Sequence, residues 1–235
     1  MKVFSNNKSV DAYLTDRELK HHEQQMIELI RDRCGTQKPG LWLDMGCADA
    51  LFLKALVTSF IDWEFTGLEI NDALLIRARK NINEDLVTLI EEDASTYASE
   101  TGYDIITASG LLSVFDDPLV VLDNWIKLLK PGGKLFIFGT FNPFDMDMKI
   151  SHRNNYNQSV WETGMHSFAQ QTYARHLENR PVTLDFIPFK LPIDLEKDAN
   201  PIRAHTVKDE MGNRIIIVGN VIKHFYFMTI TNTSC

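Results

Sequence analysis

The sequence predicts an α/β fold in which a mainly parallel β-sheet carries helices on both faces. Short apolar segments alternate along the chain with amphipathic segments, and several apolar segments end in acidic residues. Strands that alternate with helices in this way form parallel sheets. A chain of 235 residues is long enough to bury a sizeable core in one such domain.

The first strand–turn–helix unit follows the apolar run Leu41–Leu43, which ends at Asp44. A turn of small residues, Gly46–Ala50, then leads into a segment with helical spacing of apolar positions. Such a turn lies where open α/β sheets bind ligands, so a nucleotide-like ligand is the first hypothesis. An ordinary structural turn is the alternative, because the G-x-G-x-x-G fingerprint requires glycine where Ala48 and Ala50 stand.

The second unit consists of a strand over Trp63–Ile70 and a helix over Asn71–Asn83. Glu69 stands near the end of this strand. An acid about 20 residues after a glycine-rich turn is the arrangement that binds ribose hydroxyls. We therefore predict a ribose-binding role for Glu69, with a surface carboxylate as the alternative.

Three more strands are predicted, over Leu86–Ile90, Tyr103–Ser109 and Lys134–Thr140. An amphipathic helix over Leu119–Leu129 precedes the last of them, and the breakers in Lys130–Gly133 are expected to end that helix.

An additional helix is predicted before the first strand. Thr15–Glu18 has the pattern of a capping box, and the helix it opens would run to Cys34 and pack beside the sheet. His21 and His22 are predicted to be solvated on its polar face.

The last third of the chain contains a polar segment, residues 151–166, that could form a substrate lid over the sheet. A helix is predicted over Phe168–Leu177 and a strand over Val182–Phe189. Two further predictions are a hairpin formed by Ala204–Val207 and Arg214–Val218, and a final strand over Lys223–Ile230.

Composition disfavours several classes of protein without excluding a nucleic-acid substrate, because a local basic patch could still form. The formal net charge of −8 disfavours a nucleic-acid partner. The cysteines Cys34, Cys47 and Cys235 share no metal-ligand spacing, so we predict no metal site and a reducing, cytoplasmic location. No apolar run approaches the roughly 20 residues that a membrane span needs, so a membrane partner is not expected.

Four motifs in this order resemble those of class I S-adenosylmethionine-dependent methyltransferases: Asp44–Ala50, Glu69, Glu92–Ala94 and Leu128–Gly133. The resemblance covers about residues 41–142. It implies a Rossmann-like, doubly wound, mostly parallel seven-stranded sheet with antiparallel C-terminal strands, here extended by an extra hairpin. It also implies S-adenosylmethionine as cofactor and S-adenosylhomocysteine as product.

The same resemblance assigns roles to individual residues. The first loop would lie beside the methionine part of the cofactor, Glu69 would bind the ribose, and Asp93 would accept a hydrogen bond from the adenine amino group. The end of the fourth strand would lie near the sulfonium. Ala48 and Ala50 replace family glycines, which is expected to narrow the site. The predicted cofactor-binding residues are Asp44, Gly46, Ala48, Glu69, Asp93, Ala94, Ser109 and Gly110.

Methyl transfer requires no particular catalytic residue, because the cofactor brings the activated methyl group. A hydroxyl acceptor would need a base, for which His166, His152 and Asp145 are the candidates. Glu162 is a further candidate, and Arg153 could bind an anionic group of the substrate. The predicted aromatic walls of the acceptor pocket are Phe115, Phe141, Tyr156 and Trp161.

The sequence thus predicts one methyltransferase domain acting on a small-molecule acceptor, with oxygen slightly preferred over nitrogen. Alternatives are a nicotinamide-dependent oxidoreductase, and a non-catalytic domain that binds S-adenosylmethionine as a partner or sensor. The predicted divisions are a helical segment at 1–40, a cofactor-binding core at 41–142, a lid with helices at 143–180, and C-terminal strands at 181–235.

Overall fold

The computed structural model describes residues 10, 13–35, 37–153, 161–199 and 203–234. In it, an α-helix follows the first, second and fourth strands of the chain. The strands are Leu41–Met45 (β1), Glu64–Glu69 (β2), Val87–Glu91 (β3), Tyr103–Ser109 (β4), Leu129–Asn142 (β5), Ser151–His152 (β6), Glu162–Thr163 (β7), Phe168–Ala169 (β8), Val182–Pro188 (β9), His205–Lys208 (β10), Arg214–Val218 (β11), Val221–Lys223 (β12) and Phe225–Asn232 (β13). The helices are His21–Cys34 (α1), Leu51–Ser59 (α2), Asp72–Asn81 (α3), Pro118–Lys127 (α4) and Gln170–Leu177 (α5).

The central sheet has the strand order β3-β2-β1-β4-β5-β13-β9, and the short β8 pairs with β5. β1 to β5 are parallel to one another, whereas β13 is antiparallel to both β5 and β9. The predicted fold class is therefore confirmed. The predicted hairpin is part of a separate three-stranded antiparallel sheet, β10-β11-β12, which we call the small sheet.

The two faces of the central sheet bury separate apolar clusters. Leu43 and Met45 of β1 face the cluster that includes Trp125 of α4, whereas Trp42 faces the cluster that includes Met26 of α1. All of these side chains are fully buried. This alternation places helices on both faces, as a doubly wound sheet requires.

The predicted start of the leading helix was wrong. Helix α1 begins at His21, and Glu23 accepts a hydrogen bond from the backbone N–H of Lys20 at 2.7 Å. Residues 16–20 form no helix because Arg17, inside the predicted capping box, reaches across to the carboxylate of Asp49.

The stretch predicted to separate helix α4 from the fifth strand belongs to β5 instead. The strand already begins at Leu129, and its register against β4 shifts between Tyr103 and Ile105. Gly132 has φ +76°, a left-handed conformation that glycine adopts readily. A Cβ on Gly133 would lie 2.8 Å from the carbonyl oxygen of Tyr103. The glycines thus let the strand begin early against its neighbour.

No helix in the described part of the chain is long and apolar enough to cross a membrane. Within the same residues, no three His, Cys, Asp or Glu side chains come together in a way that could hold a metal ion.

Candidate functional site

A cavity of about 1410 Å³ lies at the carboxyl edge of the parallel strands. The strand order reverses between β1 and β4, and ligands of doubly wound proteins bind at this kind of position. Pockets for small molecules usually measure roughly 300–1,000 Å³, so this cavity has room for two ligands side by side. Its walls come from the loops after β1 to β4, from residues before α1, from the small sheet, and from Ile150, His152, Gly164 and Met165.

Asp44 is buried at the end of β1, and its carboxylate accepts a hydrogen bond from Thr107 Oγ1 at 2.7 Å. Burial, with a smaller contribution from the nearby carboxylates of Glu23 and Glu69, raises the pKa of Asp44 to about 7, although the hydrogen bond from Thr107 acts to lower it. Asp44 does not line the main cavity. It lines an adjoining space of about 20 Å³ together with Gly46.

The turn after β1 has an unusual backbone. Gly46, Ala48 and Ala50 have φ values of +69°, +50° and +57°. A Cβ at Gly46 would lie 2.9 Å from Cδ2 of Leu111, so a larger residue would have to displace that side chain as well as adopt the left-handed conformation. The two alanines adopt the left-handed region at some cost in energy. Gly46 and Ala48 both line the main cavity.

Glu69 connects the first two loops. Its Oε2 accepts the backbone N–H of Ala48 at 3.0 Å, and its Oε1 accepts that of Asn71 at 2.8 Å. Asn71 in turn caps α3 by accepting the N–H of Leu74 at 3.1 Å. Burial raises the pKa of Glu69, and the backbone hydrogen bonds oppose that rise. The carboxylate is therefore held in one orientation on the cavity wall.

The loop after β3 is anchored in a similar way. Asp93 accepts the N–H of Ser95 at 2.8 Å, and the carbonyl of Ala94 accepts the indole N–H of Trp125 at 2.7 Å. Trp125 is fully buried, so the loop is attached to the core below it. Both Asp93 and Ala94 line the cavity.

Ser109 and Gly110 line the cavity at the end of β4. Gly110 has φ +73° and donates its N–H to the carbonyl of Phe138 at 2.8 Å. An added Cβ at Gly110 would meet no atom within 4 Å, so the backbone here faces open space. Seven of the eight predicted cofactor residues thus share one cavity, and Asp44 lies beside it.

The three candidate bases have different surroundings. His152 lines the cavity. His166, only 2% exposed, does not line it: its Nδ1 accepts the N–H of Ile150 at 3.0 Å, and its Nε2 lies 2.9 Å from Asp116. Asp145 lies outside the cavity in an exposed ion pair with Arg175 at 2.9 Å.

The predicted aromatic walls are only partly assembled. Phe115 lines the cavity, but Phe141 is buried in the core beside Tyr173. Trp161 is 63% exposed, with the guanidinium of Arg153 5.3 Å from its ring centroid. Tyr156 lies outside the described residues. Of Glu162, the structure describes only the backbone, which pairs with His152.

Helix α1 contributes to the cavity wall, although no such role was predicted for it from the sequence. The prediction of a solvated His22 was wrong: its ring stacks on Phe138 with centroids 4.0 Å apart and lines the cavity. Burial, followed by the nearby cations Lys20 and Arg17, lowers the pKa of His22 to about 3. The spacing of His22 from buried Met26, one helical turn later, is the signal that could have revealed it.

Arg17 joins this leading segment to the first loop. Its guanidinium forms two hydrogen bonds of 2.8 Å to the carboxylate of Asp49 and contacts Glu23 at 3.0 Å. The side chains of all three residues are at most 12% exposed.

These loops and this sheet define a doubly wound α/β protein with a binding site for a nucleotide-like cofactor. Residues 43–135 match the family model described as a methyltransferase domain. The chain is 26% identical over 196 residues to the malonyl-[acyl-carrier protein] O-methyltransferase of Priestia megaterium, covering 81% of this chain and 70% of that protein. It is 27% identical over 202 residues to a ubiquinone biosynthesis O-methyltransferase of Coxiella burnetii, covering 77% of this chain and 79% of that protein.

Among solved structures, the N-methyltransferase NodS of Bradyrhizobium japonicum superposes with a TM-score of 0.58 over 97% of this chain and 98% of that chain, at 14% identity. At this identity the likeness concerns the fold. Together with the family model and the relatives, it supports a class I S-adenosylmethionine-dependent methyltransferase. The predicted family and enzyme class are confirmed, in preference to the nicotinamide-dependent alternative.

Proposed function

We propose that the protein transfers the methyl group of S-adenosylmethionine to a small-molecule acceptor, with oxygen slightly preferred over nitrogen. The observation that supports it is the shared cavity, where loops from four neighbouring strands meet beside a second, separately built wall. The relatives named as O-methyltransferases favour oxygen, whereas the structural neighbour is named for nitrogen. The acceptor and its reacting atom are therefore part of the proposal.

The proposed cofactor roles follow from the anchoring of each loop. Glu69 has a second acceptor position on each oxygen, so it can bind the ribose hydroxyls while it keeps the N–H groups of Ala48 and Asn71. Asp93 and the backbone of Ala94 would bind the adenine. The open backbone at Ser109 and Gly110 suits the reacting end of the cofactor.

S-adenosylmethionine, when bound, supplies a methyl group that is already activated for displacement. The protein then has to align the acceptor and keep water away from it. We propose His152 as the base for a hydroxyl acceptor, because it lines the cavity. In His166, Nδ1 accepts a backbone N–H, so the ring proton is on Nε2, directed to Asp116. This arrangement favours a positioning role for His166.

We also propose that the chain works as one domain in the cytoplasm. The thiols of Cys34 and Cys47 are free and buried, as is usual in a reducing compartment.

The proposal is tested by calorimetric titration with S-adenosylmethionine, S-adenosylhomocysteine and NADH. Micromolar binding of the two sulfur compounds, without NADH binding, is the expected result. Binding of NADH alone would contradict the proposal. If the sulfur compounds bind but no acceptor in a broad screen is methylated, the non-catalytic partner or sensor function is favoured.

A further inference from the structure

Charged side chains are distributed unevenly around the cavity. Among the described residues that line it, the acids are Glu69, Glu92 and Asp93, which all lie at the ends of β2 and β3. The lining residues with basic side chains come from other parts of the chain. They are Lys20, His21, His22, His152, Arg203 and Lys223. The acids thus lie at the proposed cofactor end, and the other walls are basic although the chain has a net charge of −8.

Lys223 is the buried lysine of this set, with 5% of its surface exposed. Its ammonium donates a hydrogen bond to the carbonyl of Met165 at 2.5 Å. An ammonium has three N–H donors, so two are left for other partners. In the described part of the chain, no carboxylate forms an ion pair with Lys223. Burial lowers the pKa of Lys223 to about 8.

The wall around Lys223 is apolar. In the small sheet, Lys223 pairs with Ile216 and Val221 pairs with Val218, which places the four side chains on one face. All four residues line the cavity. A buried cation without a counter-ion is costly, and an anion brought by a ligand would remove that cost.

Lys223 also lies near the carboxyl ends of β4 and β5 in the central sheet. β13 begins two residues later, at Phe225, which is opposite Thr140 near the carboxyl end of β5. Ser109 and Gly110 lie at the same edge, because β4 and β5 are parallel. The ring of Phe225 stacks on Phe138 at 5.3 Å.

We propose that the ammonium group of Lys223 binds a carboxylate group of the methyl acceptor, so that the substrates are organic acids with an apolar part. The apolar part would contact Ile216 and Val221. A single buried cation in an apolar wall suits a monovalent carboxylate, whereas a phosphate is normally held by several donors. This inference rests on the proposed function.

The test compares the wild type with Lys223→Met and Lys223→Gln. The matched control is Lys208→Met in the same small sheet, because Lys208 is 54% exposed and pairs with Asp194. Each protein is first titrated with S-adenosylhomocysteine, which reports the folded cofactor site. With this compound saturating, the proteins are titrated calorimetrically with hexanoate, benzoate and cinnamate, and with the three corresponding primary amides.

We expect at least one carboxylate to bind the wild type and Lys208→Met equally, and to bind both Lys223 variants about 10- to 150-fold more weakly, the usual effect of removing a charged hydrogen-bond partner. The amides should bind the wild type and the variants alike. Equal carboxylate binding by wild type and variants would overturn the inference, as would a wild type that binds none of the carboxylates. If the wild type does not bind S-adenosylhomocysteine, the proposed function fails as well.

Discussion

The two ends of the cavity are built in different ways. The proposed cofactor end comes from one continuous stretch, residues 44–110, in which each loop follows a parallel strand. The other end, which we call the acceptor end, combines described residues from before β1, from 150–152 and 164–165, and from 189–195 and 203–225. One end therefore depends on local motifs, whereas the other depends on segments that meet only after folding.

The contacts within each end differ accordingly. At the cofactor end, Glu69 holds the backbone of Asn71 two residues away and that of Ala48 in the preceding loop. At the acceptor end, His22 stacks on Phe138 and Lys223 binds the carbonyl of Met165. The chemistry also differs, with acids at the first end and bases at the second. Four substitutions test this contrast, in order of decreasing expected effect.

Arg17→Met tests the connection between the two ends. It leaves the buried carboxylates of Asp49 and Glu23 without their cation, and breaking such a buried pair costs about 3–5 kcal/mol. Urea unfolding at pH 7 measures the loss. As the control, Arg33→Met removes an exposed pair with Asp185 and should cost less than about 1 kcal/mol. Similar losses in both variants would show that the Arg17 network does not join the ends.

His22→Phe tests the acceptor end through pH. Burial lowers the pKa of His22 in the folded protein to about 3, whereas its ordinary pKa is 6.5. Between these two pH values the unfolded chain therefore binds a proton at His22 and the folded chain does not. Wild-type stability should therefore fall as the pH decreases from 6.5, by about 1.4 kcal/mol per pH unit from this residue.

The His22→Phe variant should lack the pH-dependent loss of stability that His22 causes. As the pH falls, its free energy of unfolding should therefore increase relative to that of the wild type. Urea unfolding at pH 7.5, 5.5 and 4.5 measures the difference. Parallel pH curves for the two proteins would mean that His22 is not buried in its neutral form.

Glu69→Ala tests the cofactor end. The change removes the proposed ribose ligand and releases the N–H groups of Ala48 and Asn71. Binding of S-adenosylhomocysteine should weaken by about 1–3 kcal/mol in calorimetry. The control Glu91→Ala alters the residue paired with Glu69 across the sheet, which is exposed and does not line the cavity, and should bind normally. Normal binding by folded Glu69→Ala would remove the ribose assignment.

Ala48→Gly gives the smallest expected effect and isolates backbone strain in the first loop. At φ +50° glycine avoids the steric cost of the Cβ, and its greater freedom in the unfolded chain offsets part of this gain. We expect about 0.5–1 kcal/mol of added stability in urea unfolding. The same replacement in helix α3, Ala73→Gly, should cost about 1 kcal/mol. Losses of equal size in both variants would contradict left-handed strain at Ala48.

The sequence alone was sufficient for the fold class, the family and the loops that carry the proposed cofactor residues. Each of these depends on short-range patterns: an apolar strand, a small-residue turn after Asp44, and an acid at the end of β2. Such patterns determine local structure, and parallel strands then bring their carboxyl ends to one edge.

Only the tertiary structure decided which side chains face the proposed acceptor end of the cavity. His166 and His152 looked equivalent in sequence, but His152 lines the cavity, whereas His166 does not and is hydrogen-bonded on both ring nitrogens. His22 and Lys223, which carry no motif, face the same cavity from opposite ends of the chain. Their positions depend on packing between segments that are distant in sequence. Local sequence patterns do not predict where such segments meet.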